Sequence, residues 1–220
     1  MIEMKGLTKV YTNGKNKNEV LKSIDLTIEE GEFVAIMGTS GSGKSTLLSI
    51  IGGMDNVTEG TYMFEDKPVH TYSQKKLDQF RKDNIGFVFQ NFALMNYVNV
   101  YDNIAMPLWN RKTPKHKIKE LVNEKAKLLG IEHVLKQMPK QLSGGEQQRC
   151  AIARVLAMDS KLILADEPTG ALDQKNTENI MDILKKVHES GKTIVMVTHD
   201  EQVASICSRI IRIQDGKVLE

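Results

Sequence analysis

The sequence predicts an α/β protein in which a strand-and-helix lobe is interrupted by a helical insertion. Three observations carry that reading. Phe33–Met37 and Leu162–Ala165 are unbroken apolar runs bounded by turn residues, as parallel strands buried on both faces should be. From Lys161 onward strand and helix patterns alternate, the order of a parallel-sheet fold. Between residues 91 and 160 apolar residues recur at helical spacing instead, with Leu121, Val122, Ala126, Leu128 and Leu129 on one face.

Each element follows from its own residues. Residues 2–10 and 20–30 read as strands, the second because Ile24, Leu26 and Ile28 alternate with Asp25, Thr27 and Glu29. The polar stretch Asn13–Asn18 between them is turn-like. After the Phe33–Met37 strand, a short helix at about 44–51 is stopped by Gly52-Gly53. Thr61–Glu65 reads as a strand, Ser73 as the cap of a polar helix at about 74–83, and Ile85–Gln90 as a further strand. Beyond the insertion come strand 161–166, helix 174–190, strand 193–198, helix 200–207 and strand 209–214.

At 220 residues the chain can bury one substantial core or two small lobes. Its net charge of +2 is too balanced to argue for nucleic acid. The stretch Arg111–Lys140 carries nine Lys or Arg against three Glu, +6, leaving −4 elsewhere. A solvated helix face explains that bias, and so would contact with anionic lipid or an acidic partner. Cys150 and Cys207 have no metal-ligand spacing and suit a reducing compartment. Met1–Lys5 leads into alternation rather than an apolar leader, and no apolar run approaches the length of a membrane span. The expectation is a cytoplasmic protein.

Two runs carry the chemistry. Gly38-Thr39-Ser40-Gly41-Ser42-Gly43-Lys44-Ser45 fits Gly-x4-Gly-Lys-[Ser/Thr] and lies between a strand and a helix start. Average composition yields that pattern in about one chain in a hundred of this length, so the strand-loop-helix setting decides for a phosphate site. Gly38, Gly41 and Gly43 let backbone N–H groups turn inward around phosphate oxygens. Lys44 would reach the β- and γ-phosphates, and the Ser45 hydroxyl would take one Mg²⁺ position. The strand Leu162–Ala165 ends in Asp166-Glu167, at the carboxyl edge where open α/β sheets bind ligands. Asp166 suits the metal. Glu167 suits polarisation of the attacking water, worth about 10²–10⁴-fold in rate.

A third run, Leu142–Arg149, begins as a capping box in which Ser143 and Glu146 bond each other's backbone. That accounts for both residues on structural grounds. It does not account for Gly144 and Gly145, each of which weakens a first helical turn by about 1 kcal/mol. Close approach of the helix N-terminus to another molecule's phosphate would explain them.

Taken together, these three runs resemble the ABC-type ATPases over nearly the whole chain. The resemblance implies a P-loop NTPase fold with a mixed β-sheet core lobe, an antiparallel β portion and a helical subdomain. Residues 1–90 and 161–220 would form the nucleotide-binding lobe and 91–160 the subdomain bearing the signature Ser143-Gly144-Gly145-Glu146. It implies ATP and Mg²⁺ as ligands, with Ser40, Ser42 and Thr46 completing the phosphate loop. It also implies an ATP-bound homodimer in which each signature completes the opposite copy's site. Membrane-spanning permease subunits would hold the dimer at the cytoplasmic face of the membrane, and no nucleic acid is expected. Gln90 resembles the glutamine that senses Mg²⁺ and the attacking water. Asp173, in Ala171-Leu172-Asp173, resembles the residue that communicates between sites, and His199 the switch histidine on the γ-phosphate. Tyr11 is similar to the aromatic that stacks on adenine, a contact worth about 1–3 kcal/mol per base in nucleic-acid binders.

Ile85–Phe92, Asp166–Asp173 and the short length resemble the lipoprotein-release and macrolide-export subclass, which includes antimicrobial-peptide efflux. Relatives with an added C-terminal regulatory domain are disfavoured. The alternative is the ATPase of a non-transporting regulatory or cell-division membrane complex. DNA-repair relatives are disfavoured by the lack of coiled-coil heptads and zinc-binding cysteines, and translation-associated ones by the single cassette. Of twelve aromatic residues, seven fall between Phe80 and Trp109. The irregular apolar stretch after Gln90 therefore suggests that residues 91–105 line a groove for a permease helix.

Overall fold

The computed structural model describes residues 1–14 and 16–219. Strands β1 (Ile2–Asn13) and β2 (Asn16–Ile28) form an antiparallel hairpin, with Ile2 opposite Ile28 and Asn13 opposite Asn16. The turn is thus narrower than the polar stretch suggested, and both strands extend into it; Lys15 lies outside the described residues. Strand β3 (Phe33–Met37) is wholly buried and feeds α1 (Lys44–Ile51). Gly52 caps that helix and Gly53, at φ +65°, turns the chain away. Next come β4 (Glu59–Phe64), the short β5 (Lys67–Pro68), α2 (Gln74–Asn84) and β6 (Ile85–Phe89). Ser73 occupies the cap position of α2, but its side chain makes no capping bond; only its carbonyl accepts, from Lys76 and Leu77.

The stretch expected to be helical contains α3 (Val100–Asn110), α4 (Lys115–Leu128) and α5 (Gly144–Ala157). After it the alternation runs β7 (Leu162–Asp166), α6 (Gln174–Glu189), β8 (Thr193–Val197), α7 (Glu201–Ala204), β9 (Arg209–Gln214) and β10 (Lys217–Leu219). Helix α7 is shorter than expected: Asp200 caps its start, accepting from Gln202 N and Val203 N, and beyond Ala204 the N–H groups of Ile206 and Cys207 turn to carbonyls three residues back, ending the helix.

Two sheets result. One is antiparallel, in the order β2-β1-β4-β5; the other runs β10-β9-β3-β8-β7-β6, parallel throughout except at β10. The mixed sheet separates two cores, and the strand period shows why. Leu162 and Leu164 face the core shared with α1, α2 and the antiparallel sheet, whereas Ile163 and Ala165 face the core built with α3–α6. In β8, Val195 and Val197 join the first core and Ile194 and Met196 the second. Burial on both faces requires the unbroken hydrophobicity seen in the sequence, and each such side chain contributes about 1.5–3 kcal/mol. No helix among the described residues is long and apolar enough to cross a membrane.

Candidate nucleotide-hydrolysing site

Strand register assembles the site. Ile36 pairs with Val197, Val197 with Asp166, and Asp166 with Phe89. The residues that follow these strand ends are Gly38 and its loop, His199, Glu167 and Gln90, so all four emerge at one carboxyl edge of the sheet.

The phosphate loop is shaped by close backbone packing. A Cβ on Gly38 would lie 2.1 Å from Ile213 O. Gly43, at φ +105°, would place one 2.7 Å from Leu21 Cδ2. Lys44, only 9% exposed, donates to Gly38 O at 2.9 Å and Thr39 O at 2.8 Å, which aims its ammonium into the loop. Ser42 is buried, with its Oγ unpartnered. Ser40, Gly41 and Ser45 are exposed along the loop and Thr46 is half-buried.

Desolvation, and then the charge of Glu167, push the Asp166 carboxyl above its ordinary range; Lys44 and a hydrogen bond with Ser45 pull it back. Glu167 has left-handed backbone at φ +46°, with its N–H donating to Val197 O at 3.0 Å. That turn swings its carboxylate toward His199, whose Nδ1 lies 3.1 Å from Oε1. Gly170 makes room on the other side: a Cβ there would be 2.9 Å from Gln90 Nε2 and 3.2 Å from Glu167 Oε2. Gln90 and Glu167 therefore both border Gly170, and His199 meets the other oxygen of Glu167. A cleft of about 570 Å³ between α6 and α7 opens onto Glu167 and His199.

The signature lies elsewhere on the surface. Glu146 Oε2 accepts from Ser143 N at 2.8 Å and Ser143 Oγ at 2.7 Å, while Glu146 N donates back to that hydroxyl. These bonds from Ser143, aided by His133, hold the Glu146 carboxyl below its usual range. Among the described residues no hydrogen bond or ion pair joins Ser143–Glu146 to the phosphate loop. Gly145 has a reason within its own chain, which the sequence did not reveal: a Cβ would strike Asn176 Oδ1 at 2.1 Å. Asn176 in turn donates its N–H and Nδ2 to Asp173, the cap of α6, whose carboxyl is held low by those bonds. Gly144 faces Leu172. Tyr11 is 43% exposed near the β1–β2 turn, and its hydroxyl donates to Asp55 Oδ2 at 2.6 Å.

Two further residues carry no sequence signal. Gln148, fully buried on α5, donates from Nε2 to Pro168 O at 2.6 Å, tying the signature helix to the turn after Glu167. Arg154, also on α5, donates to Ala93 O and Phe92 O just beyond Gln90. An apolar groove lies beside the 91–105 stretch, lined by none of those residues. It has a volume of about 410 Å³ and is lined by Phe87, Phe89, Met106, Pro107 and Met158, with Arg81, Arg111 and Arg154 at its rim. Leu94 packs inward instead, and Tyr97 is 75% exposed outside the groove.

A glycine-rich loop beside a strand-end carboxylate pair, with an imidazole in contact and a polar amide at the same sheet edge, is the arrangement of an α/β nucleotide-hydrolysing cassette. The ABC transporter family model matches residues 21–170, and the chain belongs to that family as an ABC ATPase domain. It is 43% identical over 219 residues to the macrolide export ATP-binding/permease protein MacB of Aggregatibacter actinomycetemcomitans, covering all of this chain and 34% of that protein. The chain thus spans about a third of the MacB proteins it matches. It is 42% identical to the bacitracin export ATP-binding protein BceA of Halalkalibacterium halodurans, covering 99% of this chain and 87% of that one. A solved dimeric structure of the ATP-binding cassette MJ0796, in a post-hydrolysis state bound to ADP and Pi, superposes with a TM-score of 0.93. It shares 44% identity and covers 100% of this chain and 97% of its own.

Proposed function

We propose that this chain hydrolyses ATP to drive an export-type ABC transporter, acting as a pair of copies on membrane-spanning permease subunits at the cytoplasmic face of the membrane. The observation that carries this reading is the register-aligned convergence of the phosphate loop, Gln90, Asp166, Glu167 and His199 at one sheet edge. The loop and the N-terminus of α1 hold the triphosphate, with Lys44 as the cation on its β- and γ-oxygens. Tyr11 offers a face for the adenine. The site suits Mg²⁺: the Ser45 hydroxyl, the Asp166 carboxylate and the Gln90 amide oxygen are hard oxygen donors. No cluster of three or more acidic, His or Cys ligands occurs among the described residues, as befits an ion that arrives with the triphosphate. Bound Mg²⁺ offsets the charge of the phosphate oxygens.

Glu167 takes the role of orienting and polarising water, held in place by its turn and by His199. Gln90 borders Gly170 together with Glu167, so the loop that follows it can report the state of the site. In the paired form, Ser143–Glu146 of the helical subdomain, residues 91–160, present the α5 N-terminus to the other copy's nucleotide, with Asp173 at the same junction. The Phe87–Met106 groove takes a short permease helix, and its Arg81, Arg111 and Arg154 rim favours one with an acidic residue.

Sedimentation of the Glu167→Gln protein tests the pairing. Mg-ATP should convert the 24.7 kDa chain to a dimer, and Gly145→Asp should block that conversion. Adding Asn176→Gly to Gly145→Asp relieves the contact within the chain and should leave the dimer blocked. A monomer with Mg-ATP, or a dimer regained in the double variant, counts against a shared site.

A further inference from the structure

Tyr11 is not a free side chain. A tyrosine near a hairpin end, 43% exposed, would ordinarily sample several rotamers. Here its hydroxyl is fastened to Asp55, and Asp55 is fixed from two more directions. Lys9 Nζ donates to Asp55 Oδ1 at 2.5 Å, and Asn56 N donates to the same oxygen at 2.7 Å. Lys9 is itself 8% exposed, donates also to Asn56 O at 2.7 Å, and lies 4.8 Å from the centroid of the Tyr11 ring. Desolvation pushes the Asp55 carboxyl up, but the hydrogen bonds from Lys9, Tyr11 and Asn56 outweigh it and hold the group below its usual range.

The chain positions give this cluster a consequence. Tyr11 belongs to β1 of the antiparallel sheet. Asp55 lies two residues beyond the Gly52-Gly53 stop of α1, the helix whose first residues are Lys44 and Ser45, and its N–H donates to Ser49 O within that helix. Thr46, in the same first turn, also approaches the Tyr11 hydroxyl. The ring is therefore held relative to the phosphate loop and not merely to its own strand. A stacking face is worth most when its plane is set before the base arrives, because freezing a mobile side chain on binding costs affinity. The charge of Lys9 cancels that of Asp55, so the fastening adds no net negative charge beside a polyanion.

We propose that Asp55, backed by Lys9, is a positioning residue for the nucleotide base, holding the Tyr11 ring at a fixed place relative to the phosphate loop. This rests on the reading of Tyr11 as the adenine platform. Calorimetric titration of the full chain in the absence of Mg²⁺ tests it, comparing ATP with inorganic tripolyphosphate, which lacks a base. Tyr11→Phe and Asp55→Ala should each weaken ATP about three- to tenfold, the effect of one lost hydrogen bond. Tripolyphosphate affinity should stay within about twofold, and the double variant should be no weaker than the weaker single one, since both remove the same bond. Tripolyphosphate weakening in step with ATP, additive losses in the double variant, or unchanged ATP affinity in Asp55→Ala each overturns the proposal. Tyr11→Ala separates it from the reading beneath it. Unchanged ATP affinity in Tyr11→Ala sinks the platform itself, whereas a loss there without loss in Tyr11→Phe and Asp55→Ala sinks only the positioning role.

Discussion

Replacing Arg154 by Met should loosen the turn after Gln90 without touching any residue that meets the nucleotide. The guanidinium donates to Ala93 O at 2.7 Å and Phe92 O at 3.2 Å. These two residues have left-handed backbone, Phe92 at φ +62° and Ala93 at φ +46°. Non-glycine residues in that region cost about 1–3 kcal/mol each and persist only when their surroundings hold them. Bonds from an ionised donor contribute about 1.5–3 kcal/mol each, and water at this surface turn recovers part of that, so a net loss of about 2–3 kcal/mol is expected. For a chain of this size about 1 kcal/mol moves the melting midpoint by about 2–4 °C, which gives a fall of about 4–12 °C. Methionine keeps the aliphatic bulk of the stem, so the effect reports the lost bonds and not a cavity. Turnover should fall as well, because Gln90 depends on that turn for its place beside Glu167. Thermal melting and steady-state ATP hydrolysis check both parts. A midpoint within about 1 °C of the parent, together with unchanged turnover, would refute the reasoning.

Three other outcomes follow from the same structure. Desolvation and Glu167 raise the Asp166 carboxyl above its unfolded value of 3.8, so its favourable contribution is complete below that value and is lost as pH rises through the folded value. Asp166→Asn should therefore melt higher than the parent at pH 7 and lose that advantage near pH 4, while hydrolysis collapses; a lower melt at pH 7 contradicts this. Burial pushes the Cys150 and Cys207 thiols up to about 12. Neither should take up iodoacetamide at pH 8 before denaturation, and their stability contribution, complete below the unfolded value of 9.0, should drain away toward pH 12. Rapid labelling of the native chain would count against it. Finally, Met106→Glu should abolish co-purification with the permease while Tyr97→Glu, outside the groove, should not; the reverse pattern would place the docking surface on the 91–99 turn.

What the sequence could disclose was set by the range of the interactions involved. Strand β3 is legible to the residue and β7 to within one, because burial on both faces demands an apolar run and turn residues end it sharply. The Ser143–Glu146 capping box was legible for the same local reason. The β1–β2 hairpin was misjudged because Asn13, Asn16, Lys17 and Asn18 are polar on both faces, so no alternation marks where pairing continues. Ser73 has the residue type and the position of a cap, yet its side chain makes no bond to the helix amides. Arg154 reaches a carbonyl 61 positions away, and Gln148 one 20 positions away. Such contacts depend on tertiary placement, and nothing in helix α5 marks those two residues. For Gly145 the local pattern marks only a bare helix start; that Asn176 from α6 occupies the space where its Cβ would be is a tertiary contact no local pattern carries. The cavity beside that region is hidden for a similar reason: aromatic density marks residues 80–109, but only packing decides that Leu94 turns inward while Phe87 and Phe89 stack at 4.7 Å and line a groove.

The central claim is that Glu167, turned toward His199 and Gln90 by its left-handed backbone, polarises the water that attacks the bound triphosphate. Glu167→Gln preserves the shape and the turn but replaces a carboxylate by an amide that cannot accept a proton at neutral pH. The most direct measurement is single-turnover hydrolysis of Mg-ATP by this variant in the permease complex, with ATP binding measured on the same sample. The account predicts ATP affinity near that of the parent and hydrolysis reduced by at least about a hundredfold. Hydrolysis near the parental rate would contradict it.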